Sequence, residues 1–351
     1  MQPILNVTID PGVFAPPFDR RSKESVKAYV DSLLHWTEAR DSGPVRLHVP
    51  KATAQALILS DYYPLRPWLK QLLAETNTFE FDANTIAKLA GSILDQSDAL
   101  EETTGITDIL AEQVTIVPSI FDNYVPRPIQ SASETTALVT ALVRSVGRDA
   151  FALSNRLAVR DCCNSQSIAV TAVLTIIEHA REDLHNYDEL PKAYNGHAPV
   201  CETFHDYLLT LDECELWNSL DKASDIETLI KIAVYKSRAS RSEATTWRDL
   251  PNFRLHREFH ASVQACGMAP APPALRTFLR ATAETVDGQN LAAVHPLRVD
   301  AGANSAQVMR GTDTAWRRDI DRDFHIHYWM CRGGLVELAR VVHHNDFHIC
   351  H

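Results

Sequence analysis

The sequence has little glycine, no paired cysteine motif and no long apolar run. Twelve glycines in 351 residues leave little material for a loop that cradles phosphate. Neither G-x-x-x-x-G-K-[ST] nor G-x-G-x-x-G occurs, which sets aside P-loop and dinucleotide-binding chemistry. The G-x-S-x-G elbow of hydrolases and the zinc-protease pattern H-E-x-x-H are also absent. No stretch reaches the roughly 18 to 20 apolar residues that cross a bilayer, so no membrane association is expected. "MQPILNVTID" lacks the basic and apolar regions of a signal peptide. Seven cysteines occur without C-x-x-C spacing, a pattern that fits reduced thiols and a cytoplasmic location. Positive charge is short too. The formal net charge of −11 argues against a surface coated with basic groups for unspecific nucleic-acid binding, but it leaves room for a local basic cleft.

A length of 351 residues predicts more than one domain. "ILNVTID" alternates apolar and polar residues before Pro11-Gly12 and reads as a strand entering a turn. "SKESVKAYVDSLLHWTEA" carries helical spacing with serine caps. "VRLHV" and "EQVTIVPSI" read as further strands, "FEFD" as a short one, and Ala52 to Leu59 as a helix. Strands interleaved with helices predict an α/β layer domain over 1–130. From Ser133 the pattern predicts a helical middle domain over 131–290. It holds "ETTALVTALVRSVGRDAFALS", "SIAVTAVLTIIEHAREDL" as a buried central helix, "DIETLIKIAVYKSRAS" and "PPALRTFLRATAETVDG". "RLHREFH" reads as one basic helical face, and the Asn195-Gly196 region as an exposed loop. Residues 291–351 then form a C-terminal α+β unit ending in a β-hairpin.

"VTIDPGVFA" resembles the opening of PIN-domain nucleases, in which a hydrophobic strand ends in an aspartate, here Asp10, followed by two residues and an apolar pair, Val13-Phe14. "VRLHVPKATAQAL" resembles the family's second strand and helix, but no acid stands at Ala54 to Ala56, where the family's next one is expected. The resemblance implies clustered carboxylates that hold a divalent metal to activate water for phosphodiester attack. Asp10 is the residue that maps; Asp98, Asp108 and Asp122 are candidates without a place.

What the sequence does have is histidine. Six of its fifteen histidines lie between Asp323 and His351. In "DFHIHYW" alternate residues share a face. Asp323, His325, His327 and Trp329 therefore point one way, and Phe324, Ile326, Tyr328 and Met330 pack on the core. A three-residue turn, Arg332-Gly333-Gly334, brings Glu337, Ala339, Val341 and His343 of the return strand beside the histidines. A two-residue turn would bring Leu338, Arg340, Val342 and His344 instead, because one residue of register flips every side chain. The three-residue turn sorts more apolar groups onto one face and is the expectation, although it forces Arg340 out of that face. The catalytic candidates are then His325, His327, Glu337 and His343, with Asp10.

Imidazoles titrate near neutrality, so two can act as general base and general acid in one turnover, and H-x-H on a strand is also a usable metal-ligand pair. Between Arg298 and Arg340 stand seven arginines and no lysine. Arg298, Arg317, Arg318 and Arg322, with His295, are the candidates for substrate phosphate. His348 and His351 read as a solvated edge. Together these point to a nuclease, RNA favoured over DNA, working with or without a divalent metal (Mg, Mn or Zn), in a prokaryotic toxin or antiviral defence setting. The rival expectation is a non-catalytic subunit that assembles with a protein partner. The sequence leaves oligomeric state open.

Overall fold

The computed structural model describes residues 5–18, 21–120, 125–160, 165–187, 189–217, 219, 223–268, 272–300 and 305–351. The chain divides into two compact units, Met1–Leu211 and Asp212–His351. The first holds β1 (Leu5–Ile9), β2 (Val45–Val49), β3 (Asp98–Ala99), β4 (Ile106–Val117), β5 (Arg156–Ala158), β6 (Ser167–His179) and β7 (Lys192–Cys201). All five residues of β1 are buried. Its alternation survives burial because the polar side is hydrogen-bonded: Asn6 Nδ2 donates to Ser154 Oγ (2.9 Å) and Thr8 Oγ1 to Asn155 Oδ1 (3.0 Å), while Leu5, Val7 and Ile9 are buried apolar groups.

The seven strands lie in the order β3-β2-β1-β5-β7-β6-β4. β3, β2, β1, β5 and β7 run parallel, while β6 is antiparallel to both β7 and β4. The chain moves outward from β1 to β2 to β3 and then returns to the other side of β1 with β5. The β1/β5 boundary is therefore where the strand order reverses, the place where open parallel sheets offer a crevice beyond their strand ends. Asp10 leaves β1 at that point and donates its backbone N–H to Ala158 O (3.0 Å). The helix Arg127–Val146 covers one side of this sheet, packing Ala137, Leu138, Ala141 and Leu142 with Leu157, Ile168, Val170 and Leu174.

The stretch 131–290 is not uniformly helical. "SIAVTAVLTII" is β6, with alternating burial along most of its length. Its Ile, Val and Thr content suits a pleated surface better than a helix, and only alternate residues (Ile168, Val170, Ala172, Leu174) are buried. Asn195-Gly196 lies inside β7, not in a loop. "FEFD" forms no strand; its Asp82 caps the helix Ala83–Gln96 by accepting the Thr85 N–H (2.9 Å). The helix Lys23–Ser42 starts where expected, with Ser22 and Ser25 in a reciprocal cap.

The second unit holds β8 (Phe253–Leu255), β9 (Val294–Pro296), β10 (Met309–Arg310), β11 (Asp313–Asp319), β12 (Phe324–Met330) and β13 (Val336–His343). The order is β10-β11-β12-β13-β8, with β9 also paired to β11. Every pairing is antiparallel except β13 with β8. "RLHREFH" is split: β8 ends at Leu255, and a helix begins at Phe259. Two longer helices, Ala223–Ser240 and Pro272–Val286, complete the unit. Leu275, Phe278 and Leu279 form part of the buried side of the second. Ser262 Oγ of the Phe259–Ala265 helix accepts the Val341 N–H (2.9 Å), so a side chain satisfies β13 beyond the end of its pairing with β8.

Candidate functional site

The turn of the hairpin is the expected one. Cys331 N–H donates to Leu335 O (2.8 Å) across Arg332-Gly333-Gly334. Gly333 and Gly334 have φ of 84° and 81°, a left-handed conformation that glycine adopts without a Cβ penalty. Next to the turn, Trp329 faces Glu337 and Tyr328 faces Leu338, but His327 then faces Arg340, and Ala339 is left over as a β-bulge. One extra residue inverts the faces of everything beyond it. Near the turn the register follows the three-residue expectation; beyond Ala339 it follows the two-residue alternative. Arg340 thereby reaches the histidine face. His343 lands opposite Phe324, with ring centroids 4.7 Å apart, and so leaves that face.

The inversion brings His344, not His343, to His325. His325 Nε2 lies 2.7 Å from His344 Nδ1, and His325 Nδ1 lies 2.8 Å from Asp319 Oδ1. Asp319 stands directly opposite His325 in the β11–β12 pairing. The result is a line from carboxylate to buried imidazole to exposed imidazole. His325 is 1% exposed, whereas Asp319 is about half-exposed and His344 is exposed. Burial holds the His325 pKa below its ordinary value, opposed by Asp319 and aided by Arg317 and His344. The 2.8 Å contact is not aligned as a hydrogen bond, but the carboxylate beside Nδ1 favours a neutral His325 with its proton there, which leaves Nε2 as an acceptor. His344 then donates from Nδ1, and its own basic nitrogen is Nε2.

At the other end of the line, His295 Nε2 lies 3.7 Å from Asp319 Oδ2. Two exposed imidazoles thus flank one carboxylate and one buried imidazole. The neighbouring row across the sheet reads Arg317, His327, Arg340. Its two guanidinium-bearing positions stand about 10 Å apart, twice the inter-strand spacing, and both Nε atoms are buried without a hydrogen-bond partner. His327 is fully buried. Its Nδ1 meets His348 O at 2.9 Å, and burial pushes its pKa down to about 4. It is neutral at pH 7 and sits beneath the segment 345–351, whose Cys350 O accepts the Trp329 indole N–H (2.8 Å).

The expected solvated histidine face is therefore a buried one, because segment 345–351 supplies a carbonyl to His327 and packs Ile349 with Trp329. Glu337 is drawn away by Arg310, which binds both its oxygens (2.9 and 3.0 Å) and holds its carboxyl below the usual range. Arg318 is 1% exposed on the opposite face and pairs with Glu284 (2.8 Å), so it is held in the interior. Arg298 donates to Ser305 O (2.8 Å). Arg322 is exposed in the turn between β11 and β12.

Asp10 belongs to the first unit. It is buried, its Oδ1 accepts from Gly12 N–H (2.7 Å) and Ser133 Oγ–H (2.9 Å), and its Oδ2 has no partner. Burial raises its pKa to about 6 against these two hydrogen bonds and the charge of Arg160. Among the described residues, no group of three or more converging His, Cys, Asp or Glu includes it. Asp98 pairs with Arg46 (2.5 Å), Asp108 is exposed on β4, and Asp122 lies outside the described residues. Among the described residues, the group of three or more His, Cys, Asp or Glu with converging donor atoms is His256, Glu258 and Cys350. That group contains neither His325 nor His327.

Asp319 is absent from the sequence candidates, and His344 stands there only in the two-residue-turn alternative. The turn residues of "DIDRDF" give a signal for the first: with Asp321 Oδ1 accepting the N–H groups of Asp323 and Phe324 (2.8 and 3.0 Å), a β11–β12 hairpin puts Asp319 opposite His325. His344 required knowledge of the bulge. Compared with known proteins, the chain matches no family model, no curated protein and no solved structure. No helix among the described residues is long and apolar enough to cross a membrane.

Proposed function

We propose that the second unit is a phosphodiester-cleaving acid–base catalyst that acts on RNA in preference to DNA. The observation that carries this reading is the Asp319–His325–His344 line with His295 at its far end. RNA supplies its own nucleophile, so the protein needs a base for the 2′-hydroxyl, an acid for the leaving oxygen and a cation for the phosphate. In this reading neutral His344 accepts the 2′-hydroxyl proton at Nε2. The 2′-oxygen attacks phosphorus, the P–O5′ bond breaks, and His295, beside Asp319, gives a proton to the leaving oxygen. The products are a 2′,3′-cyclic phosphate and a 5′-hydroxyl. His325 is a positioning residue, fixing the tautomer of His344 and spreading its gained charge toward Asp319. Arg317 and Arg340, helped by exposed Arg322, are the candidates for the phosphate. The test is cleavage of RNA and of DNA of one sequence by the full chain, with and without chelator. RNA-selective cleavage that survives chelation and ends in cyclic phosphate is the expected result; no cleavage of RNA refutes it.

A second reading, a non-catalytic subunit, draws on a different observation. β4 is the edge of its sheet, and it and β6 expose Leu110, Val117 and Ile176. An apolar edge of that kind suits pairing with another chain. It is favoured if RNA is untouched and the protein sediments as part of a larger assembly.

A further inference from the structure

Three donors of three different chemistries converge at a place the proposed cleavage does not use. His256 follows β8, Glu258 stands at the cap position of the Phe259–Ala265 helix, and Cys350 comes from segment 345–351. One ligand atom from each lies within 4.8 Å of the others. Cys350 Sγ lies 2.9 Å from Glu258 Oε2. Thiolate and carboxylate are both anions, so groups this close need a positive partner between them, either a proton or a metal ion. The ring is already fixed beside the carboxylate residue, since His256 Nδ1 accepts the Glu258 backbone N–H (3.3 Å).

We propose that His256, Glu258 and Cys350 form a zinc-class metal site with three protein ligands and one open position. The donor set selects the ion. Magnesium and calcium take oxygen, whereas one sulfur, one nitrogen and one oxygen suit a borderline-soft ion such as Zn²⁺. Three protein ligands are the number found where a fourth position receives water or a substrate atom. The thiol that faces Glu258 must lose its proton to ligate, so binding releases one proton to solvent, and the thiolate and carboxylate together neutralise the divalent charge. Arg257 and Arg340 act on the same two acids; they oppose the ion and place the affinity below that of an all-thiolate structural site. Occupancy has a mechanical consequence. It ties segment 345–351, which carries the carbonyls that hold His327 and Trp329, to the β8–helix connection.

The experiment uses the full chain, stripped with chelator and titrated first with Zn²⁺ and then with Co²⁺ as a visible probe. The expected result is one equivalent bound, proton release on binding, a thiolate-to-cobalt charge-transfer band and a change in tryptophan fluorescence. Cys350→Ser and His256→Ala abolish the band or most of the affinity, while Cys266→Ser and Cys331→Ser keep both. Glu258→Gln, at an exposed position that does not threaten folding, weakens binding and guards against a Cys350 variant that fails to fold. Absence of the band in the unaltered protein, or binding that Cys350→Ser and Glu258→Gln leave unchanged, overturns the proposal. The readout is metal binding alone, so the RNA-cleavage reading stands or falls separately.

Discussion

His325 Nε2 and His344 Nδ1 are 2.7 Å apart, joining an imidazole that is 1% exposed to one at the surface. The pair exists because Ala339 is a bulge. Without that extra residue His343 would take the place of His344, and Arg340 would lie on the opposite face. The contact also divides the roles of the histidines, with His344 exchanging protons and His325 holding it in one tautomer.

The His325 role has its own signature. His325→Gln keeps a group able to accept from His344 but breaks the link to Asp319. We expect a fall in kcat with little change in KM, and a shift of the low-pH limb of the pH–rate curve, which reports the base His344. A merely structural residue would instead lower the amount of folded enzyme and leave the shape of that curve alone. Glu337→Gln, which loosens the Arg310 pair, should leave both limbs in place.

Arg318 and Arg317 are adjacent and should behave oppositely. Arg318 is interior and paired with Glu284, so Arg318→Ala strands a carboxylate and should cost about 3–5 kcal/mol in urea unfolding. Arg317→Ala should change stability by about 1 kcal/mol or less, weaken RNA binding and flatten its salt dependence. Equal stability losses in the two variants would contradict this assignment.

Asp10 and His327 give opposite pH dependences. The folded pKa of Asp10 is raised to about 6, so the folded state holds a proton that the unfolded chain releases near pH 4. Its contribution to stability falls as pH rises from about 4 to about 6, by roughly 3 kcal/mol at most. Asp10→Asn should remove that slope and stabilise the protein above pH 6. His327 has a folded pKa lowered to about 4, so the unfolded chain binds the proton first, near pH 6.5. Its contribution falls as pH drops from about 6.5 to about 4, again by roughly 3 kcal/mol, and His327→Gln should flatten that limb. Denaturation midpoints across pH 3.5–7.5 for both variants test the two signs.

The elements legible in the sequence were those with one strong signal. β1 was marked by its alternation of apolar and polar residues before Pro11-Gly12. The helices Arg127–Val146, Ala223–Ser240 and Pro272–Val286 were marked by periodicity, and the last two also by their terminal residues. The hairpin turn was marked by Gly333-Gly334. β6 was missed because a long run such as "SIAVTAVLTII" satisfies a buried helix and a covered strand equally, and only its β-branched content tips the balance. The candidate site was half legible. H-x-H on a strand announced His325 and His327, but not that both would be buried, His327 beneath segment 345–351. The Ala339 bulge has no signature in "LVELARVVHH" beyond Arg340 on an otherwise apolar face, a conflict that one extra residue resolves.

The central claim is that His344 is the general base. Its most direct test is the single-turnover rate of RNA cleavage, in chelator, by the unaltered protein and by His344→Ala. The account predicts a bell-shaped pH–rate curve for the former, a loss of about a hundredfold or more for the latter, and unchanged urea unfolding because the side chain is exposed. Cleavage by His344→Ala at the unaltered rate would contradict it.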